Sequence, residues 1–311
     1  MSLKQYLLTT GFLLFTLASF GQDQTVTGLK KAANAGKELP KNDTSKNWTT
    51  GGIFNINIGQ GSQKNWAAGG DDFSFSLNSY FGLWARYKKD KISWDNSANF
   101  NYGILNTTSQ KTRKNDDRID LSSKVGYALS KKLNAAFLAN FQSQFSKGYS
   151  YKSDGSKEYL SNFMAPGYLL LSIGLDYRPA DGLSIFFSPI TTRWVFVHDD
   201  ILSAAEAYGV APGEKMKSEL GAFASVNYQK KFTDKITYLG KLDLFSNYKH
   251  NPQNIDLMMT NMATFKVSKV FGFNVGLDLI YDDDVKLFGP TNSSPGLQIK
   301  EVIGAGLTLN L

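Results

Sequence analysis

Between Phe73 and Tyr87 the chain alternates strictly. Phe73, Phe75, Leu77, Phe81, Leu83, Ala85 and Tyr87 share one side with Ser79, and Ser74, Ser76, Asn78, Tyr80, Gly82, Trp84 and Arg86 share the other. A period of two is that of a β-strand, whose successive side chains point to opposite faces. Strands of soluble proteins centre on about 5–6 residues. A strand this long with one oily face must place that face against something extensive.

The pattern recurs along the chain. Alternating segments are predicted at about 48–60, 71–88, 91–106, 117–130, 132–146, 167–179, 182–197, 218–230, 235–249, 255–268, 271–282 and 297–311. In the segment 182–197 the apolar phase switches between Leu183, Ile185, Phe187 and Ile190, Trp194, Phe196, with Ser188-Pro189 at the change. One inserted residue shifts a strand's phase, and proline is tolerated there, so a β-bulge is expected. The connections alternate between tight turns and longer loops, the segment near 250–254 being short on the long-loop side.

These features predict an all-β fold, a transmembrane antiparallel up-and-down β-barrel of about 12 strands, with short periplasmic turns and longer extracellular loops. Such strands cross a bilayer with about 9–11 residues each and alternate apolar-out, polar-in. A secreted β-sandwich would also alternate, but its strands would be shorter. An uncompensated lysine or arginine at the bilayer midplane costs about 2–4 kcal/mol, and the oily faces carry no charge along their middles.

The N-terminus fits export. Lys4 precedes the apolar run Tyr6–Leu17, and Ser19 and Gly21 are small residues before Gln22. Residues 1–21 read as a signal peptide, residues 22–47 as a polar periplasmic leader or linker, and residues 48–311 as the barrel. Beyond the first twenty residues no apolar run is long enough for a membrane helix. There is no cysteine, which excludes disulfides, thiolate metal sites and cysteine catalysis. The net charge of +7 is read as surface and turn charge, with no nucleic-acid motif. Lysines cluster at the short turns, where a basic rim suits anionic headgroups.

The words NWAAGG (65–70), WDNSANFNYG (94–103), RKNDDRIDL (113–121), APGYLLLSIGLDYRP (165–179), LFSNYKHNP (244–252) and YDDD (281–284) resemble domain-of-unknown-function family 3078. The resemblance spans roughly residues 48–311. It implies an exported Gram-negative outer-membrane barrel and no particular activity, and it lends no functional residues.

Candidate lumen-lining charges are Arg86, Asp95, Asp120, Lys124, Asp176, Arg178, Lys241, Asp243, Lys266 and Asp278. A candidate acidic cluster at the outer rim comprises Asp71, Asp72, Asp116, Asp117, Asp199, Asp200, Asp282, Asp283 and Asp284. Such carboxylates could hold divalent cations, favour cationic solutes, or pair with Lys111, Arg113, Lys114 and Arg118. His198, in VFVHDDIL, raises a minor hydrolase alternative, but no catalytic motif is present. The chain is expected not to be an enzyme and to need no cofactor. Its expected partners are outer-membrane lipid, small polar solutes and other outer-membrane proteins. Two readings of function remain from sequence: a narrow passive channel for small hydrophilic solutes, and a non-conducting barrel with a structural or partner-binding role.

Overall fold

The computed structural model describes residues 47–64, 71–151, 156–268, 270–282 and 294–310. The segments read as signal peptide and leader lie outside the described residues, apart from Asn47.

Among the described residues there are fourteen strands, rather than about twelve: β1 (Trp48–Ser62), β2 (Phe73–Lys89), β3 (Ile92–Thr107), β4 (Lys111–Ala128), β5 (Leu133–Ser143), β6 (Gly148–Tyr151), β7 (Lys157–Ser161), β8 (Gly167–Ala180), β9 (Leu183–Phe196), β10 (Met216–Lys231), β11 (Ile236–Asn247), β12 (Ile255–Lys266), β13 (Phe271–Tyr281) and β14 (Gln298–Asn310). Twelve of them close a barrel in the ring order β1-β2-β3-β4-β5-β8-β9-β10-β11-β12-β13-β14, and β6 and β7 form a separate two-stranded sheet. All neighbours in the ring are antiparallel, and the ring closes where Ile53–Ile56 of β1 faces Leu307–Asn310 of β14.

The two unexpected strands lie in the connection read as an open loop at 147–166. Each is too short to show an alternation. A second difference is at β4, which begins at Lys111, not near 117, so the supposed long loop is a tight turn at 108–110. Its first residues, KTRKND, carry no apolar side chain and so no legible period. A register shift between Gly103 and Ile104 leaves Asn115 as the extra residue. The connection at 197–215 also holds a short helix, α1 (Asp200–Ala204), and a 3-10 turn at Ala207–Gly209.

The phase switch in β9 is a real irregularity. The pairing of β10 shifts between Gly221 and Phe223, which face Thr191 and Ser188, and that of β8 shifts between Ile173 and Leu175. At this kink a Cβ on Gly174 would sit 2.1 Å from the carbonyl oxygen of Phe187, so the strands can approach only if residue 174 is glycine.

The outer wall carries exposed apolar side chains from strands around the ring. Leu83, Leu121, Phe137, Ile173, Phe187, Leu220, Phe265, Phe273 and Leu307 are all exposed, Ile173 by 62%. The opposite faces of the same strands are sequestered inside: Tyr80 is 1% exposed, Asn101 1%, Ser172 0% and Thr191 0%. The usual distribution, apolar side chains inside and polar ones outside, is therefore inverted, and polar groups occupy the interior. Two buried apolar clusters exist among the described residues. One lies within the barrel, around Ala136, Phe186, Phe223 and Phe245. The other lies in the loops above it, around Ala165, Val195, Val197, Leu202 and Val210.

Candidate functional site

The interior charges are laced together at three levels. Nearest the short turns, Arg86 Nε lies 4.0 Å from Asp95 Oδ1, and Arg178 Nη2 lies 3.6 Å from Asp95 Oδ2. Arg178 Nη2 also meets Asp176 Oδ2 at 2.7 Å, where Lys124 Nζ arrives at 3.2 Å. The hydroxyl of Ser184 donates to the other Asp176 oxygen at 2.6 Å. Asp176 is 1% exposed, and a carboxylate so buried is tolerable only with such partners.

At mid-height Asp120 accepts from Asn140 Nδ2 at 2.8 Å and pairs with Arg118 at 3.3 Å. Lys241 pairs with Asp243 at 2.6 Å, and Asp243 accepts from the Ser225 hydroxyl at 2.6 Å. Lys241 on β11 also interacts electrostatically with Asp120 and Arg118 on β4, five positions away in the ring. The charges of nearly opposite walls are thus within electrostatic reach of one another.

The third cluster lies nearer the long loops and is absent from the sequence expectations. Arg193 binds Glu219 through Nε and Asp256 Oδ2 at 2.9 Å through Nη2, and Lys217 Nζ meets Glu219 Oε1 at 2.9 Å. The Arg193 guanidinium lies 4.2 Å from the centroid of the Phe245 ring, a cation–π geometry. The phase switch in β9 concealed which way Arg193 points; for Glu219, the alternation of Leu220, Ala222 and Ala224 already placed it on the inner face. Lys266 lies exposed at the short-turn end of β12. Asp278 is on β13, but its side chain lies outside the described residues.

The rim carboxylates are dispersed, not gathered. Among the described residues no three metal-ligating side chains converge. Asp71 accepts from the backbone N–H of Ser109 at 2.7 Å. Asp116 and Asp117 lie within β4. Asp116 accepts from Asn101 Nδ2 at 3.1 Å. Asp117 accepts from the backbone N–H groups of Phe145 at 2.6 Å and Ser146 at 2.8 Å, and pairs with Lys114 at 2.7 Å. Asp199 caps α1, accepting from Ile201 N and Leu202 N at 3.1 Å each, and also accepts from Tyr159 Oη at 2.7 Å and Asn162 Nδ2 at 3.4 Å. Asp200 pairs with Lys215. The carbonyl oxygen of Asp72 accepts from Gln63 N at 2.9 Å. Asp282 lies within electrostatic reach of Arg193. Asp283 and Asp284 lie outside the described residues.

Asp71, Asp117 and Asp199 therefore each fasten one outer connection to a neighbour. Burial alone would push the Asp199 carboxyl up, but its hydrogen bonds outweigh this and hold it below the usual carboxylate range. Burial and the adjacent Asp199 push the Tyr159 phenol up to about 12. His198 packs its ring edge-on against Phe196, at 5.8 Å between centroids, and the Asp199 oxygens beside it are already occupied.

The fold and interior define a closed antiparallel β-barrel with an apolar outside and an ion-paired inside. The family described as Protein of unknown function (DUF3078), the one suggested by the sequence motifs, has a model that matches residues 58–149. No curated protein matches the chain. Among solved structures, the chain is similar to the translocator domain of autotransporter NalP from Neisseria meningitidis at 10% identity, covering 89% of this chain and 93% of that one, with a TM-score of 0.40. It is similar to the NanC porin at 10% identity, covering 83% and 100%, with a TM-score of 0.38. It is similar to the P. putida toluene transporter TodX at 11% identity, covering 85% and 79%, with a TM-score of 0.33.

Proposed function

We propose that this chain is an integral outer-membrane β-barrel that is closed to solute flow and works through its crown of ordered outer loops, as a structural or partner-binding protein without enzymatic activity. The extensive apolar outer wall supports the membrane placement, because soluble monomers rarely expose contiguous apolar patches beyond a few hundred Å². The observation that carries the closed interior is that ion pairs cross the lumen between strands that are not neighbours: Arg178 of β8 reaches Asp95 of β3 at 3.6 Å, and Arg193 of β9 reaches Asp256 of β12 at 2.9 Å. Twelve strands lie between the small barrels that side chains fill and the 16–18-stranded porins that hold water, so interior side chains decide the outcome. The crown supports the second half of the reading: its apolar cluster and the Asp117 and Asp199 bonds fix β6, β7 and α1 as a firm surface.

The narrow-channel reading is favoured by one observation. Arg178 and Lys241 keep 42% and 45% of their side chains exposed inside the barrel, as groups lining a thin aqueous path would. Recording from purified full-length protein in a planar bilayer separates the two. The closed reading predicts no unitary steps; reproducible steps would replace it with the channel.

A further inference from the structure

The outer wall is not uniformly oily. In the register of β1 to β5, one outward row of side chains runs Thr50, Ala85, Asn96, Ser123, Ala139. Small residues leave a groove of about 840 Å³ there, which continues over Gly52, Leu83, Ala98 and Leu121 in the next row. The polar members are already linked. Trp94 Nε1 donates to Ser123 Oγ at 2.9 Å, and the Ser123 hydroxyl donates to Asn96 Oδ1 at 2.8 Å. Asn96 Nδ2 reaches the Ala85 carbonyl at 3.5 Å. An amide nitrogen has two N–H groups, so the second can serve an acceptor in the groove.

Toward the short turns, the next row holds Trp48, Tyr87 and Trp94. The Trp48 ring lies 5.2 Å from Tyr87 and 5.6 Å from Trp94. Below them Lys89 and Lys91 flank the turn, with Lys91 Nζ 5.8 Å from the Tyr127 ring. Each row is two residues, about 6.8 Å, along the strand. Read from the turn inward, the wall offers cations, interfacial aromatics, hydrogen-bond donors and then an apolar slot.

That order matches phosphate, glycerol, ester carbonyls and acyl chain. We propose that this groove binds one phospholipid with an anionic headgroup, from the leaflet on the short-turn side. The proposal rests on the membrane reading given above. A second copy of the chain fits less well. Two-fold pairing places the same patch on both sides, and would set Lys89 and Lys91 against their own counterparts.

Native mass spectrometry of the full-length protein in mild detergent, titrated with phosphatidylglycerol or phosphatidylethanolamine, tests this. The wild type should retain phosphatidylglycerol about thirtyfold more tightly than phosphatidylethanolamine, as two nearby lysines at about 1 kcal/mol each imply. Filling the slot with Ala85→Phe and Ala98→Phe should abolish retention of both. Lys89→Gln with Lys91→Gln should remove the preference and keep residual binding. Equal retention by the filled variant, or a wild-type dimer free of lipid, would overturn the proposal. Heat-modifiable gel migration reports whether each variant is a folded barrel. Loss of the wild type itself from the membrane fraction would instead refute the membrane reading.

Discussion

Arg178 and Asp95 stand 3.6 Å apart, although β8 and β3 are three positions apart in the ring, with β4 and β5 between them. Their contact is a chord across the interior, not a bond along the wall. With Lys124 on β4 reaching the same Asp176 that holds Arg178, it ties β3, β4 and β8 together near the short-turn end.

Removing the centre of that knot should be severe. Asp176→Ala removes the buried carboxylate that Lys124 and Arg178 share; breaking a fully buried pair from one side costs about 3–5 kcal/mol, and the cost here should fall below that because Arg178 is 42% exposed and keeps Asp95. The urea midpoint of heat-modifiable migration should fall accordingly. Asp243→Ala, whose Lys241 partner is more exposed, should cost less.

Gly174→Ala should destabilise the barrel by about 1–3 kcal/mol, as over-packing does, because the new methyl meets a backbone carbonyl at 2.1 Å. A backbone atom cannot swing aside as a side chain can. The same unfolding measurement checks it, and an unchanged midpoint would show that the β8–β9 kink relaxes freely.

The crown should loosen at both pH extremes. Asp199 has a lowered folded pKa, so its contribution is present above the usual aspartate value of about 3.9 and is lost as pH falls through the folded value below it. Tyr159 has its pKa raised to about 12. Its contribution is complete below the ordinary tyrosine value of about 10 and is lost as pH rises toward 12. Proteolysis within 200–215 should be slow between these limits and accelerate outside them. Asp199→Ala should give fast cleavage at neutral pH, through loss of the cap and the Tyr159 bond.

Calcium should leave the melting of the crown unchanged, since Asp71, Asp117 and Asp199 already spend their oxygens on loop hydrogen bonds. A calcium-dependent rise in the melting temperature would point to a shared site among these carboxylates.

Strand faces were legible wherever one side of a strand was uniformly apolar, as at Phe73–Tyr87, because a one-residue slip would flip every side chain. The bulge in β9 was legible from the broken phase at Ser188-Pro189. The early start of β4 was not, because Lys111–Asp116 extend past the apolar wall and have no reason to alternate. Arg86, Asp95, Lys124, Asp176 and Arg178 were read as interior residues one at a time; that they form one cluster depends on strands distant in sequence. The same holds for Asp117 and Asp199: Phe145 and Ser146 close the alternating segment read at 132–146 but lie beyond the end of β5 at Ser143, and Tyr159 belongs to β7, which is too short to show a period.

The central claim, an apolar wall in lipid around a closed interior, is tested most directly by cysteine labelling. The chain has no native cysteine, so single replacements can be placed at Leu83 and Leu121 outside, Ser122 inside and Asp200 on the crown. A membrane-impermeant maleimide applied to reconstituted barrels should label the crown position alone, and a lipid-soluble reagent should label Leu83→Cys and Leu121→Cys. Labelling of the outer-wall positions by the impermeant reagent at the crown rate would contradict the membrane placement, and rapid labelling of Ser122→Cys would contradict the closed interior.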